Sequence, residues 1–154
     1  MKRLVIVSGY FNPIHAGHVR LLEAAKQLGD RLLVIVNNDR QQMEKKGKII
    51  MDECERMYVV RSIRYVDEVV LAVDDGPFVA KTLKQIAVQH PEYEIVLGNG
   101  GEAELEMDSP EGDVCRRHGI RIKNGLGGDG KLNCSSRINR LRGAEAASET
   151  GERG

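Results

Sequence analysis

Apolar residues along the chain fall into short unbroken runs separated by longer amphipathic stretches. Leu4 to Val7 is such a run, closed by Ser8-Gly9, and reads as a buried strand with a turn after it. Gly17 to Leu28 has a helical pattern. Val19, Leu22, Ala25, Lys26 and Leu28 lie near one stripe, and Gly29 follows as a stop signal. Arg31 to Val36 supplies a second strand. Asn37 to Ile50 is polar and Lys-rich with no apolar period, so it reads as a long loop. Asp52 caps a helix running to about Arg64, with Met57, Val60 and Ile63 inward.

Glu68 to Val73 is a third strand. Pro77 opens a helix carrying Phe78, Leu83, Ile86 and Ala87. Glu94 to Leu97, closed by Gly98, is a fourth strand, Ile120 to Lys123 a fifth, and Ser135 starts a last helix. Alternating strands and helices predict an α/β fold: a Rossmann-like, doubly wound, five-stranded parallel sheet. Right-handed crossovers put the ligand crevice at the carboxyl ends of the strands. From Ala144 onward the chain has no apolar period. The expected domain covers residues 1–142, with 143–154 a disordered tail.

Composition narrows the function classes. The chain has 154 residues, with 23 Lys and Arg against 23 Asp and Glu, a formal net charge of zero. A general nucleic-acid binder would carry a basic excess. With no Trp and only two Phe, a stacking platform for single strands is also disfavoured. No apolar run is long enough to cross a bilayer, and the run after Met1-Lys2-Arg3 is too short for a signal peptide. Cys54, Cys115 and Cys134 form no CxxC pair, which sets aside zinc and thioredoxin-like sites. Cys115 and His118 read as a polar helix surface. Free thiols without an export signal point to the cytoplasm.

The most informative stretch joins the first strand to the first helix: Gly9-Tyr10-Phe11-Asn12-Pro13-Ile14-His15-Ala16-Gly17-His18. Backbone N–H groups at a helix start form a phosphate site. Gly9 permits a sharp turn, and Gly17 keeps a Cβ away from a ligand. His15 and His18, three apart, point to one side, beside the positive end of the helix. That suits a phosphate chain gaining charge in a transition state.

Gly9, Phe11, His15, Gly17 and His18 match GxFDxxHxGH, the signature of the cytidylyltransferase-like nucleotidyltransferases, with Asn12 where Asp is usual. The chain resembles that family along about residues 1 to 142. Ala25 to Asp30 and Ile63 to Val69 look like the bacterial glycerol-3-phosphate cytidylyltransferases. Cys134-Ser135-Ser136-Arg137-Ile138-Asn139-Arg140 is similar to the family's ISSTxxR, with Ser135, Ser136 and Arg140 in register.

The resemblance implies transfer of a nucleoside monophosphate from a triphosphate, CTP ahead of ATP, to a small phosphorylated alcohol or sugar. The acceptor phosphate attacks the α-phosphorus and pyrophosphate leaves, so catalysis rests on positioning and charge neutralisation. His15 and His18 would contact the triphosphate. Tyr10 lies within the phosphate turn, where the backbone amides of Phe11 and Asn12 would hold phosphate oxygens. Lys46, or its neighbour Lys45, stands where relatives carry a catalytic lysine. Arg56 matches a family arginine that touches nucleotide. Gly98 and Asn99 would approach the nucleoside, and Ser135, Ser136 and Arg140 would cradle the outer phosphates. Mg²⁺ would come with the nucleotide, held by phosphate oxygens and water. The resemblance also implies a homodimer, with Ile63 to Val69 a candidate contact.

Residues 40 to 50, lacking an apolar anchor, are expected to order only when nucleotide binds. Glu102 to Asp113 holds six acidic residues and no basic one, and reads as a solvated loop. Arg116 to Arg142 holds eight basic residues against one acidic. Gly125 to Gly130 satisfies GxGxxG but opens no helix directly and has no ribose-binding acid, so it reads as a flexible lid rather than a dinucleotide fingerprint. A non-catalytic nucleotide-binding module is the competing class. A pure binder would need neither His15 nor His18.

Overall fold

The computed structural model describes residues 1–101 and 104–127. Their order is β1 (Arg3–Gly9), α1 (Ala16–Lys26), β2 (Arg31–Val36), α2 (Asp39–Lys46), α3 (Glu53–Arg61), β3 (Glu68–Leu71), α4 (Ala80–Gln89), β4 (Glu94–Gly98), α5 (Pro110–His118) and β5 (Arg121–Lys123). The strands form one parallel sheet in the order β3-β2-β1-β4-β5. Leu4 pairs with Arg31 on one side of β1 and with Ile95 on the other. The order reverses at β1, and the crevice opens at its carboxyl end.

Strand residues alternate between two faces, and both faces are covered, which explains the unbroken apolar runs. Leu4, Ile6, Leu33, Ile35, Ile95 and Leu97 pack on one face with Leu83 and Ile86 of α4 and Val114 and Cys115 of α5. Val5, Val7, Leu32, Val34 and Val36 pack on the other with Leu22 and Ala25 of α1 and Val60 of α3. Met57 and Ile63 lie partly buried against that second cluster. Cys115, expected on a polar helix surface, is buried, and burial pushes its thiol up to about 11.

The stretch expected to be a long loop is helical from Asp39 to Lys46. Its start is a reciprocal cap: the Asn38 side chain accepts the Gln41 N–H, and the Gln41 side chain accepts the Asn38 N–H. Its end is Gly47, at φ 68°, the left-handed conformation glycine tolerates. Buried amides replace an apolar stripe. Gln41 Nε2 donates to the carbonyls of Gly76 and Phe78, and Asn38 Nδ2 to those of Ala72 and Asp74. The segment is therefore a helix fastened to the core side by polar side chains, where a loop was expected.

Two further boundaries differ. Helix α4 begins at Ala80, not Pro77, because the buried Asp74 carboxylate accepts the N–H groups of Lys81 and Thr82 and so starts it. The last part of the acidic stretch is the first turn of α5, capped by Ser109 with Pro110 next.

Candidate active site

The turn after β1 is built around Phe11. Its backbone is left-handed at φ 53°, which a bulky residue adopts only when its surroundings enforce it. Here the ring is buried beneath Gly9, where an added Cβ would lie 2.8 Å from the ring. This is what Gly9 is for: the ring needs the space a side chain would take. The Asn12–Pro13 peptide is cis. Asn12 ties the turn to the segment before α3, its Oδ1 accepting the N–H groups of Ile50 and Met51.

His15 is the N-cap of α1, and His15 and His18 form a cap made of two imidazoles. His15 Nδ1 accepts the Gly17 N–H at 3.0 Å, and His18 Nδ1 accepts the His15 N–H at 3.1 Å. A ring nitrogen that accepts carries no proton, so each neutral ring bears its proton on Nε2. The rings are stacked with centroids 3.9 Å apart, and His18 meets the Phe11 ring edge-on at 5.0 Å. The cap therefore sets both tautomers and the orientation of both rings.

A cleft of about 370 Å³ opens here. Gly9, Tyr10, Phe11, Gly17, His18, Lys45 and Asn99 of the expected site line it. Lys45 Nζ sits 4.3 Å from the Tyr10 ring centroid, a cation–π contact that holds the ammonium over the cleft. Lys46 lines an adjoining pocket with Asn12, Gln42 and Lys45. Asn99 Nδ2 donates to Asn124 Oδ1. Gly98 is crowded, since a Cβ there would meet Leu126 at 2.6 Å. Ser135, Ser136 and Arg140, with Gly128 to Gly130, lie outside the described residues.

Arg56, expected to touch nucleotide, does not line the cleft. It is fully buried, donating from Nε to Met51 O, from Nη1 to Tyr10 O and Asn37 O, and from Nη2 to Asp39 Oδ1. With those bonds made, it fastens the β1 and β2 exits from behind.

Glu111, within the stretch expected to be a solvated acidic loop, is a further site residue. It lines the cleft from α5, and its Oε2 accepts the Val79 N–H. Burial, with the charge of Asp74 adding, holds its carboxyl above the usual range. The legible signal was Ser109-Pro110, a helix start that aims the following turn at the strand ends. Among the described residues no three His, Cys, Asp or Glu side chains gather as a metal site. Beside the Glu111 carboxylate, the cleft is lined by imidazole, ammonium and amide groups, which suit phosphate oxygens.

A parallel sheet with its crevice at the strand-order reversal, and a histidine-capped helix opening onto that crevice, define a Rossmann-like nucleotidyltransferase domain. The chain belongs to the cytidylyltransferase-like family, whose model matches residues 6–107. It is 36% identical over 122 residues to an FAD synthase of Aciduliprofundum boonei, covering 77% of this chain and 74% of that one. It is 48% identical over 71 residues to an FAD synthase of Pyrococcus horikoshii, covering 46% of this chain and 48% of that one. The match thus spans about half the length of that relative. A bifunctional protein HldE of Koribacter versatilis is 39% identical over 103 residues, 66% of this chain and 20% of that protein. The fold is also that of a lipopolysaccharide core biosynthesis protein of Thermoplasma volcanium, at TM-score 0.62 and 24% identity, covering 80% of this chain and 94% of that one. Among the described residues no helix is long and apolar enough to cross a membrane.

Proposed function

We propose that the protein transfers a nucleoside monophosphate from Mg²⁺-bound nucleoside triphosphate to a phosphorylated small molecule, with ATP as donor and flavin mononucleotide as the first acceptor to test. The observation that carries this is the imidazole pair, with both Nδ1 atoms committed to the helix cap and the ring protons left on Nε2. An acceptor phosphate oxygen attacks the α-phosphorus, the bond to the bridging oxygen breaks, and pyrophosphate leaves with the electron pair. His15 and His18 donate to the phosphate oxygens that gain charge, and the backbone amides of Phe11 and Asn12 and the ammonium groups of Lys45 and Lys46 hold the phosphate chain. Gly98 and Asn99 are assigned to the nucleoside, and the match to the family's ISSTxxR assigns Ser135, Ser136 and Arg140 to the outer phosphates of the triphosphate. Mg²⁺ would arrive with the nucleotide, held by its phosphate oxygens, and would supply charge neutralisation for the leaving pyrophosphate.

The relatives named FAD synthase support ATP and a flavin acceptor, since FAD is flavin mononucleotide joined to AMP. A second reading, CTP with a phosphorylated polyol, is favoured by Ala25 to Asp30 and Ile63 to Val69, which look like the glycerol-3-phosphate cytidylyltransferases. A cytoplasmic homodimer contacting through Ile63 to Val69 belongs to the same proposal, and light scattering tests it. Pyrophosphate release is to be measured with ATP, CTP, GTP and UTP against a panel of phosphorylated acceptors. Release with ATP and flavin mononucleotide supports the first reading. Nucleotide binding without release under any pairing makes the protein a binding module instead.

A further inference from the structure

Groups of opposite charge line the cleft: His18 and Lys45 beside the phosphate turn, and the Glu111 carboxylate of α5 with Pro77 and Val79. A phosphate set directly against that carboxylate is disfavoured, because like charges repel. Glu111 accepts one bond, from the Val79 N–H at 3.2 Å, so a second oxygen is left for a ligand donor.

Tyr10 lines the main cleft and both adjoining pockets. Its hydroxyl is buried and has no hydrogen-bond partner among the described residues. Buried hydroxyls normally have one, and an orphan on a residue that lines a cleft leaves a donor for a ligand atom. Burial, with the negative charges of Glu44 and Glu111 adding, raises the Tyr10 phenol above its ordinary 10.0. The O–H is therefore neutral and able to donate. Gln42 Oε1 is a second buried orphan, bordering the pocket it shares with Tyr10.

Resting on the transfer reaction proposed above, we infer that Glu111 and the Tyr10 hydroxyl select the acceptor. They take the uncharged, hydroxyl- or N–H-bearing tail of a phosphomonoester, and Glu111 rejects acceptors with a second phosphate at that end. The carboxylate accepts from a tail hydroxyl or ring N–H, and the phenol donates to a tail oxygen. The acceptor's own phosphate is then directed toward His18 and Lys45, where transfer takes place.

The test is binding, which needs no turnover. The affinities of the full chain for flavin mononucleotide, glycerol 3-phosphate and fructose 1,6-bisphosphate are measured by flavin fluorescence and calorimetry, alongside a non-hydrolysable ATP analogue. Glu111→Gln keeps an oxygen for the Val79 N–H. It is expected to weaken the phosphomonoester that binds the wild type by about tenfold, to leave the ATP analogue within about twofold, and to tighten the bisphosphate. Tyr10→Phe is expected to weaken the same phosphomonoester about tenfold while its Tm rises, because an unpaired buried hydroxyl has been removed. A merely structural tyrosine would give the Tm rise alone.

Unchanged phosphomonoester binding in both variants would overturn the inference. So would a Glu111→Gln loss falling on the ATP analogue, or a wild type that binds the analogue but none of the phosphomonoesters. If the binding pattern holds and no pyrophosphate is ever released, the transfer reaction fails while the acceptor site stands.

Discussion

Arg56 Nη1 donates to the carbonyl of Tyr10 at 2.7 Å, so a cation on α3 fixes the residue that begins the phosphate turn. The same nitrogen reaches Asn37 O at 2.6 Å, which ties the exits of β1 and β2 together. Arg56→Lys cannot span these partners with one ammonium. It is expected to cost about 3 kcal/mol in urea unfolding, because buried carbonyls and the Asp39 carboxylate lose their donors. Nucleotide affinity falls with it, although Arg56 itself is walled off from the cleft. A variant of wild-type stability would show that these bonds carry no weight.

His18→Ala removes both a transition-state donor and half of the α1 cap. Turnover is expected to fall at least about 10²-fold. Stability should drop by about 1 kcal/mol, the usual value of a helix cap. Measured together, kcat and Tm should both move. Normal turnover in this variant would exclude a catalytic histidine at this position.

Helix α2 should resist exchange before any nucleotide is added. The Gln42 N–H is bonded to Asn38 O and the Gly47 N–H to Met43 O, and these two amides are expected to be protected in the free protein. Gln41→Ala strips partners from Gly76 O, Phe78 O and Asn38 N, and should cost about 3 kcal/mol and abolish that protection. Fast exchange of both amides in the wild type would return the segment to a mobile loop.

Asp67 sets an acid limit on the fold. Burial pushes its carboxyl up, but the Lys26 ammonium, the Leu32 N–H and the charge of Arg31 outweigh that and hold it below its ordinary 3.8. A carboxyl lowered on folding contributes stability that is present above the unfolded value and lost as pH falls through the folded one. Asp67→Ala should therefore be less stable by about 1 kcal/mol at pH 7, the pair being partly exposed. The gap should close below pH 3.8 in a Tm series. A gap independent of pH would assign the effect to packing.

The apolar runs made the sheet legible, because strands buried on both faces leave no other pattern. The turn from Gly9 to His18 was legible because glycine and paired histidines at that spacing have few other uses. Helix α2 was hidden because its anchor is polar. Gln41 and Gln42 are buried but carry no apolar signal, and only the Asn38–Gln41 cap and Gly47 marked the ends. Arg56 was assigned to nucleotide because sequence cannot tell an arginine facing a cleft from one filling the wall behind it. Glu111 was lost among neighbouring acids. Its helix places it at the cleft, and the Ser109-Pro110 helix start just before it was the one sign of that.

Gln41 gives the rim of the cleft its mechanics. One side chain bonds Asn37 and Asn38 at the exit of β2 and, through its other end, Gly76 and Phe78 before α4. Two rims that would otherwise swing separately are riveted into one plate that carries Lys45 and Lys46. Opening the cleft for a bulky acceptor then means tilting that plate as a unit. The motion would register as correlated shifts across residues 38–46 and 76–79, with the plate itself staying rigid.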